Sequence, residues 1–173
     1  MNRKPISLAA LGGTLALAFA LAPAASAADY SLANGAVKFS APDSWPMLME
    51  KLDGQRQFVA LQVRDPGRTD ALARITVTVE QVDGVAGFQK FLAASTERAH
   101  KLQGYTADRT PGTASAMRYT ATENRVVNAY SESYSYRNNL ALQIRCIRPV
   151  SAPPDWIATF DAGCQSVVKA IEH

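Results

Sequence analysis

Two cysteines are the residues whose chemistry the sequence constrains most tightly. Cys146 and Cys164 are the only cysteines among 173 residues. Cys146 continues the alternation of Leu142 and Ile144 on the apolar face of a predicted strand, and Cys164 lies on the apolar stripe of a predicted terminal helix. Both sulfur atoms should therefore point into one strand–helix interface. We predict a disulfide that closes a loop of about 19 residues and adds roughly 3 kcal/mol of stability; the alternative is two buried free thiols.

A stripe of aromatic and polar side chains is the candidate binding surface. Between residues 125 and 136, alternate positions fall on one face of a predicted strand: Asn128, Tyr130, Glu132, Tyr134 and Tyr136. Tyrosine combines a large apolar ring with a hydroxyl group, which suits it to binding surfaces. We expect the three rings to contact a partner while the amide and the carboxylate orient it. The alternative is that the rings pack beneath the first helix or the N-terminal segment.

The sequence contains no recognisable catalytic or metal-binding pattern. Its two histidines are His100, on the flank of a predicted helix, and His173, the last residue of the sequence. Neither belongs to a pattern for nucleophilic catalysis or zinc ligation, and no phosphate-binding glycine loop or calcium loop occurs. We therefore predict no catalytic residue, no metal ligand, no cofactor and no enzymatic activity. A hydrolase that uses two carboxylates, drawn from Glu80, Glu123 and Glu132, is the remaining enzymatic alternative.

The N-terminal residues have the pattern of an export signal. Arg3 and Lys4 precede an apolar stretch over residues 6–21, and Ala25 and Ala27 are the small residues that signal peptidase requires. This pattern predicts a signal peptide that is removed, and it favours export over the alternative of a retained membrane anchor.

Cleavage before Ala28 divides the chain into a signal peptide, residues 1–27, and a single α+β domain, residues 28–173. No later stretch of the sequence reaches the roughly 18 apolar residues that a membrane-spanning helix needs. We therefore expect a periplasmic protein whose mature chain does not insert into a membrane.

The charge of the chain argues against nucleic acid as a partner. The sequence has 18 lysines and arginines against 15 aspartates and glutamates, a net charge of +3. Removal of Arg3 and Lys4 with the signal peptide lowers this by two, to +1. Binding to nucleic acid needs clustered cations, and the mature chain has no run of them.

Hydrophobic spacing predicts the elements that position these side chains. Period-two patterns predict strands over residues 36–39, 58–64, 73–81, 114–123, 125–136 and 140–148, and helical spacing predicts helices over residues 88–102 and from Pro153 onward. The last three strands form a meander whose final hairpin turns at Asn138 and Asn139. In the sequence, strands come before and after the first helix, and a second helix ends the chain. Mostly antiparallel strands in this order predict an α+β sandwich.

The order of motifs along the chain is similar to that of a known family. A strand at residues 37–39 runs into a Pro-x-x-Trp turn, formed by Pro42, Asp43, Ser44 and Trp45. A helix then ends at Leu102, Gln103, Gly104 and Tyr105. The meander that follows contains Tyr119, Tyr130 and Asn139, and the terminal helix carries Phe160. The chain thereby resembles the PsbP-like and DcrB-like family of small α/β/α domains. The resemblance implies one sheet sandwiched by helices and a non-enzymatic accessory or binding role. The cysteine pair departs from the family pattern.

Together these patterns favour an exported binding or accessory protein. Its target would be another protein of the cell envelope or a small molecule. An exported, disulfide-bonded chain without catalytic residues fits a second function as well, that of an inhibitor or immunity protein that blocks a hydrolase toxin in the periplasm.

Overall fold

The computed structural model describes residues 26–65, 67, 72–108 and 115–172. The elements within these residues are the strands β1 (Ala27–Leu32), β2 (Val37–Pro42), β3 (Met47–Lys51), β4 (Arg56–Val63), β5 (Ala73–Gln81), β6 (Thr106–Ala107), β7 (Ala116–Glu123), β8 (Val126–Arg137) and β9 (Leu140–Pro149), and the helices α1 (Gly84–His100) and α2 (Pro154–Glu172). The predicted signal peptide lies outside the described residues except for Ser26 and Ala27.

Seven of these strands form one antiparallel sheet in the order β3-β4-β5-β9-β8-β7-β6. The predicted pairing of β4 with β5 and the predicted meander β7-β8-β9 are both confirmed. The β8–β9 hairpin turns at Asn138 and Asn139, whose φ angles are 50° and 60°. Asparagine tolerates this left-handed conformation, so the turn matches the right-handed twist of the strands that it joins. Strands β1 and β2 form a separate antiparallel hairpin.

One face of the sheet packs against α2 and the β1–β2 hairpin. Its core contains the period-two side chains of β4, β5 and β9, together with Val37 and Phe39 from the hairpin and Phe160 and Val167 from α2. Within this core Cys146 of β9 is bonded to Cys164 of α2, so the predicted disulfide is confirmed. The bond joins the central strand to the helix that covers it.

The opposite face packs against α1. Ala99 of the helix contacts the cluster around Tyr119 and Tyr130, and the ring of Phe91 meets that of Tyr134 edge-on at 6.2 Å. The predicted mostly antiparallel α+β sandwich, with a helix on each side of the sheet, is therefore confirmed.

Three short strands, β1, β3 and β6, have no counterpart among the predicted elements. All five residues of β3 are exposed, and both residues of β6 are exposed as well. Period-two patterning arises only where one face of a strand is buried and the other is wet. Strands at the two edges of the sheet therefore leave no such signal in the sequence.

The turn after β2 is anchored by a close contact between Trp45 and α2. A Cβ atom built on Gly163 would lie 2.5 Å from Cη2 and 2.8 Å from Cζ2 of the indole. No side chain fits at that distance, so glycine is what allows the ring to lie on the helix and to pack against the core. Trp45 therefore packs against α2 and the core.

We expect Gly163→Ala to destabilise the protein by about 1–3 kcal/mol, because the methyl group displaces the indole ring. Glycine to alanine in a helix ordinarily stabilises by about 1 kcal/mol, so the sign of the change is diagnostic. The measurement is urea denaturation of four proteins: the wild type, Gly163→Ala, Trp45→Ala and the double variant. In the Trp45→Ala background the alanine should become neutral or stabilising; an equal loss in both backgrounds would refute the contact.

Candidate functional site

The stripe predicted as a binding surface is buried on the α1 side of the sheet. Exposed fractions are 5% for Asn128, 5% for Tyr130, 0% for Glu132 and 4% for Tyr134. Tyr136 is partly buried; its ring stacks on Phe88 at 5.5 Å. The expectation of an exposed aromatic patch is therefore wrong, and the alternative that the rings pack beneath the first helix describes the structure.

The tyrosine rings are buried because α1 lies over them. The helix crosses the sheet over β7, β8 and β9, so the aromatic face of β8 meets its apolar stripe instead of solvent. Alternation assigns the tyrosines to one face, but it does not say which face a helix covers.

Glu132 lies at the centre of a buried network of hydrogen bonds. Its Oε1 accepts bonds from the Tyr119 hydroxyl at 2.6 Å and from Arg145 Nε at 2.8 Å. Its Oε2 accepts bonds from the Tyr134 hydroxyl and from Gln143 Nε2, the latter at 2.5 Å. A carboxylate taken out of water is tolerated only when it is paired and hydrogen-bonded in this way.

The network holds its tyrosines in the protonated form. Burial and then the charge of Glu132 raise the pKa values of Tyr119 and Tyr134 well above the ordinary value of 10.0. Burial lowers the pKa of Arg145, but the charge and hydrogen bond of Glu132, together with Tyr119 and Tyr134, outweigh burial and raise this pKa overall. A tyrosine whose pKa is raised by folding stabilises the protein fully below its unfolded pKa, about 10, and this contribution is lost as the pH rises above that value.

A second ionic group lies on the α1 side of the sheet. Arg74 of β5 donates two bonds to the carboxylate of Glu123 of β7, at 2.9 and 2.8 Å, and the Tyr130 hydroxyl lies 3.4 Å from that carboxylate. Burial and then the charge of Glu123 raise the pKa of Tyr130. All three carboxylates weighed for catalysis are in ion pairs within the fold: Glu123 with Arg74, Glu132 with Arg145, and Glu80 with Arg56.

Each face of the sheet is open where its helix does not reach. On the α2 side, small side chains of β7 and β8, among them Thr120, Ala129 and Ser131, line a groove of about 830 Å³ beside the helix. The Cys146–Cys164 disulfide forms part of its wall, and Arg148 of β9 bridges to Asp161 of α2 at 2.8 and 2.9 Å. We call this the serine groove; the sequence signal for it is the small polar face of β8 opposite the tyrosines.

Edge strand β3 exposes a contiguous group of large apolar side chains. Exposed fractions are 46% for Met47, 38% for Leu48, 59% for Met49 and 51% for Leu52, which follows the strand. β3 pairs with β4 on one side, and no strand among the described residues pairs with its other side. We call these four residues the apolar edge. Sequence reasoning missed it because exposed strands carry no period-two pattern.

Metal-ligand geometry is not found in the described part of the chain, where no group of three or more histidine, cysteine, aspartate or glutamate side chains could hold a metal ion. None of the helices in that part is long and apolar enough to cross a membrane.

The fold is similar to solved structures of several proteins. One is LpqN, which is involved in cell envelope biogenesis of Mycobacterium tuberculosis; it is 12% identical, with a TM-score of 0.45 over 75% of this chain and 78% of that one. Another is the Ran-binding protein Mog1p of Saccharomyces cerevisiae, 11% identical, with a TM-score of 0.48 over 85% and 95% of the two chains.

Cyanobacterial PsbP (CyanoP) of Synechocystis is also similar. It is 12% identical, with a TM-score of 0.43 over 88% of this chain and 95% of that one. A PsbP is thus among the solved structures to which the chain is similar, in line with the resemblance seen in the motifs. No protein-family model and no curated protein matches the chain.

We expect Glu132→Gln to destabilise the protein by about 3–5 kcal/mol. The amide removes the charge that pairs with Arg145, and its NH₂ group faces side chains that donate hydrogen bonds. The control is Glu80→Gln on the same side of the sheet, where the carboxylate is 31% exposed and lies 3.5 Å from Arg56; its loss should cost about 0–1 kcal/mol. Chemical denaturation measures both, and equal losses would contradict the assigned role of Glu132.

Proposed function

We propose that the protein is an exported, non-enzymatic binding protein that takes an extended segment of a cell-envelope protein along β3. The observation that carries this proposal is the apolar edge: four large apolar side chains are exposed within six consecutive residues of an edge strand and its end. The proposal keeps the binding role expected from the sequence and moves it from the tyrosine stripe to the edge of the sheet.

An edge of this kind favours a polypeptide as the partner. The outer side of an edge strand presents backbone N–H and C=O groups in the spacing that another strand needs. Natural proteins usually protect such edges with charge, and β3 carries only Glu50 and Lys51 at its end. An added strand would satisfy the backbone groups and cover the methionines, whose flexible side chains adapt to varied partners.

The local geometry of β3 supports a segment that docks over part of the strand. The register with β4 shifts between Met47 and Met49, where a bulge interrupts the ladder. Bulges twist an edge strand and limit how far pairing can extend. A short apolar segment of a partner therefore fits this edge better than a long continuous sheet.

The export part of the proposal rests on the signal pattern and on the disulfide. A cut before Ala28 leaves residues 28–32 of β1 paired with β2, so the hairpin survives processing. The Cys146–Cys164 bond is of the kind that forms and persists outside the cytoplasm.

The export prediction is tested by expressing the full chain in a bacterium and fractionating the cells. The soluble periplasmic fraction should contain a protein that begins at Ala28 by mass spectrometry and has Cys146 and Cys164 linked in non-reducing peptide maps. Replacing both Ala25 and Ala27 with leucine should block processing. Intact Met1 on the wild-type protein in the membrane fraction would contradict export with cleavage.

The partner site is tested by Met49→Lys. We expect this variant to bind the envelope partner about tenfold or more weakly, because a lysine cannot be buried in an apolar strand interface. Its stability should change by only about 0.5 kcal/mol, since the residue is exposed. The matched control is Val85→Lys on α1, where another large apolar side chain is 61% exposed.

The measurement is affinity capture from periplasmic extract, followed by direct titration of the captured protein against all three forms. Amides of β3 should gain protection from hydrogen exchange in the complex. Equal binding by Met49→Lys and the wild type would overturn the site. A wild-type dimer that Met49→Lys dissociates, with no captured protein, would assign the edge to a second copy of the chain and contradict the proposed partner.

A further inference from the structure

On the α1 side of the sheet, the helix leaves β4 and β5 partly uncovered. The side chains around this uncovered region are basic, unlike those of the apolar edge. A groove of about 390 Å³ lies between α1 and the strands β4 and β5. Arg56 lines it from β4, and Lys90 and Arg98 line it from α1. Gly87, before Lys90, and Ala94, between the two helix cations, lie on the same helical face and leave the groove open because they are small. We call this the arginine groove.

Positive charge surrounds Arg98 in the groove: Arg56 and Lys90 line the groove with it, and the charge of Arg145 of β9 acts on Arg98 from outside the lining. Burial and then the charges of Arg56 and Arg145 lower the pKa of Arg98. Within the described residues no carboxylate lies within ion-pair distance of Arg98; its Nη2 donates to the Ser95 hydroxyl at 2.8 Å. Like charges held this close repel one another, so an anion placed among them would be bound favourably.

Each guanidinium is positioned by a neighbour and keeps donors unused. Arg145 donates Nε to the fully buried Glu132, Arg98 is held by Ser95, which is also fully buried, and Arg56 lies 3.5 Å from Glu80. No other side-chain hydrogen bond of these arginines occurs among the described residues. An arrangement in which one donor anchors and the others face a groove is how guanidinium groups bind oxyanions in a defined geometry.

The acidic residues of the groove do not cancel this charge. Glu80 faces Arg56, and Asp83 precedes the first residue of α1, fifteen residues and roughly 22 Å of helix before Arg98. The charge of Glu132 also acts on Arg98, but Glu132 is paired with Arg145 at 2.8 Å. The charge is therefore uneven along the groove and is most positive where Arg98 lies.

We propose that the arginine groove binds the phosphate group of a small ligand or of a lipid headgroup, through Arg56, Lys90 and Arg98. This site lies between α1 and the strands β4 and β5, and none of its lining residues belongs to the apolar edge that carries the proposed partner interaction. Its failure would leave that interaction untouched.

The first test titrates the folded protein with inorganic phosphate at constant ionic strength, with amide chemical shifts as the readout. Saturable shifts should appear around Arg56 and along α1 from Lys90 to Arg98. Arg98→Gln should weaken binding by about tenfold, the effect expected on loss of a charge-assisted bond. Lys101→Gln is the control because it removes the same charge from the exposed end of the helix, where Lys101 pairs with Glu97; its affinity should stay within about twofold of the wild type.

The second test separates the two sources of phosphate. Glycerol phosphate is titrated as above, and cosedimentation is measured with phosphatidylcholine vesicles that contain or lack phosphatidylglycerol. Binding of glycerol phosphate without cosedimentation assigns a soluble ligand, and cosedimentation that needs phosphatidylglycerol and is lost in Arg98→Gln assigns a headgroup. Shifts that never saturate, or equal losses in Arg98→Gln and Lys101→Gln, would overturn the proposal.

Discussion

The structure depends on how two helices share the two faces of a seven-stranded sheet. Seven strands span about 29 Å, whereas one helix covers roughly 10 Å of a face. The apolar side chains of β4, β5 and β9 face α2, and those of β7, β8 and β9 face α1. The helices thus cover opposite halves of the sheet, and β9 is the strand that both halves share. Its residues are buried almost without interruption, as expected of a strand with a cover on each side.

Because the two helices cover opposite halves of the sheet, each face has one uncovered half. The half of the α2 face that the helix does not reach becomes the serine groove, and the opposite half of the α1 face becomes the arginine groove. The apolar edge is the third uncovered region, at the end of the sheet farthest from β6. Each open region has its own chemistry: small polar side chains, guanidinium groups and large apolar side chains. One scaffold can therefore offer several distinct surfaces.

The sequence predicts the elements that have a periodic hydrophobic pattern. It misses the features that depend on which part of the sheet a helix covers. The strand Ala73–Gln81, the meander, both helices and the Cys146–Cys164 bond all follow from spacing, because each has one apolar face. The tyrosine stripe follows from spacing as well, but its burial does not, since a polar hydroxyl suits either a wet surface or a buried network. The edge strand β3 and the arginine groove lie beyond such reasoning for a different reason. The residues of the groove come together only when β4, β5 and α1 are assembled. The exposed strand β3 carries no period-two pattern.

The buried carboxylate of Glu132 connects the fold to the arginine groove. A charge on a central strand restricts what can cover it, because a helix that lies over it must leave room for its donors and must not bring another carboxylate. Here Glu132 orders Tyr119, Tyr134, Gln143 and Arg145, and the fully buried Ser95 of α1 lies beside Tyr134. Ser95 in turn fixes Arg98 one turn later on the helix. The network that anchors α1 to β8 and β9 is thus connected through Ser95 to Arg98, which lines the open half of the sheet. A polar core costs stability relative to an apolar one, and in this protein it also connects to a cation of the arginine groove.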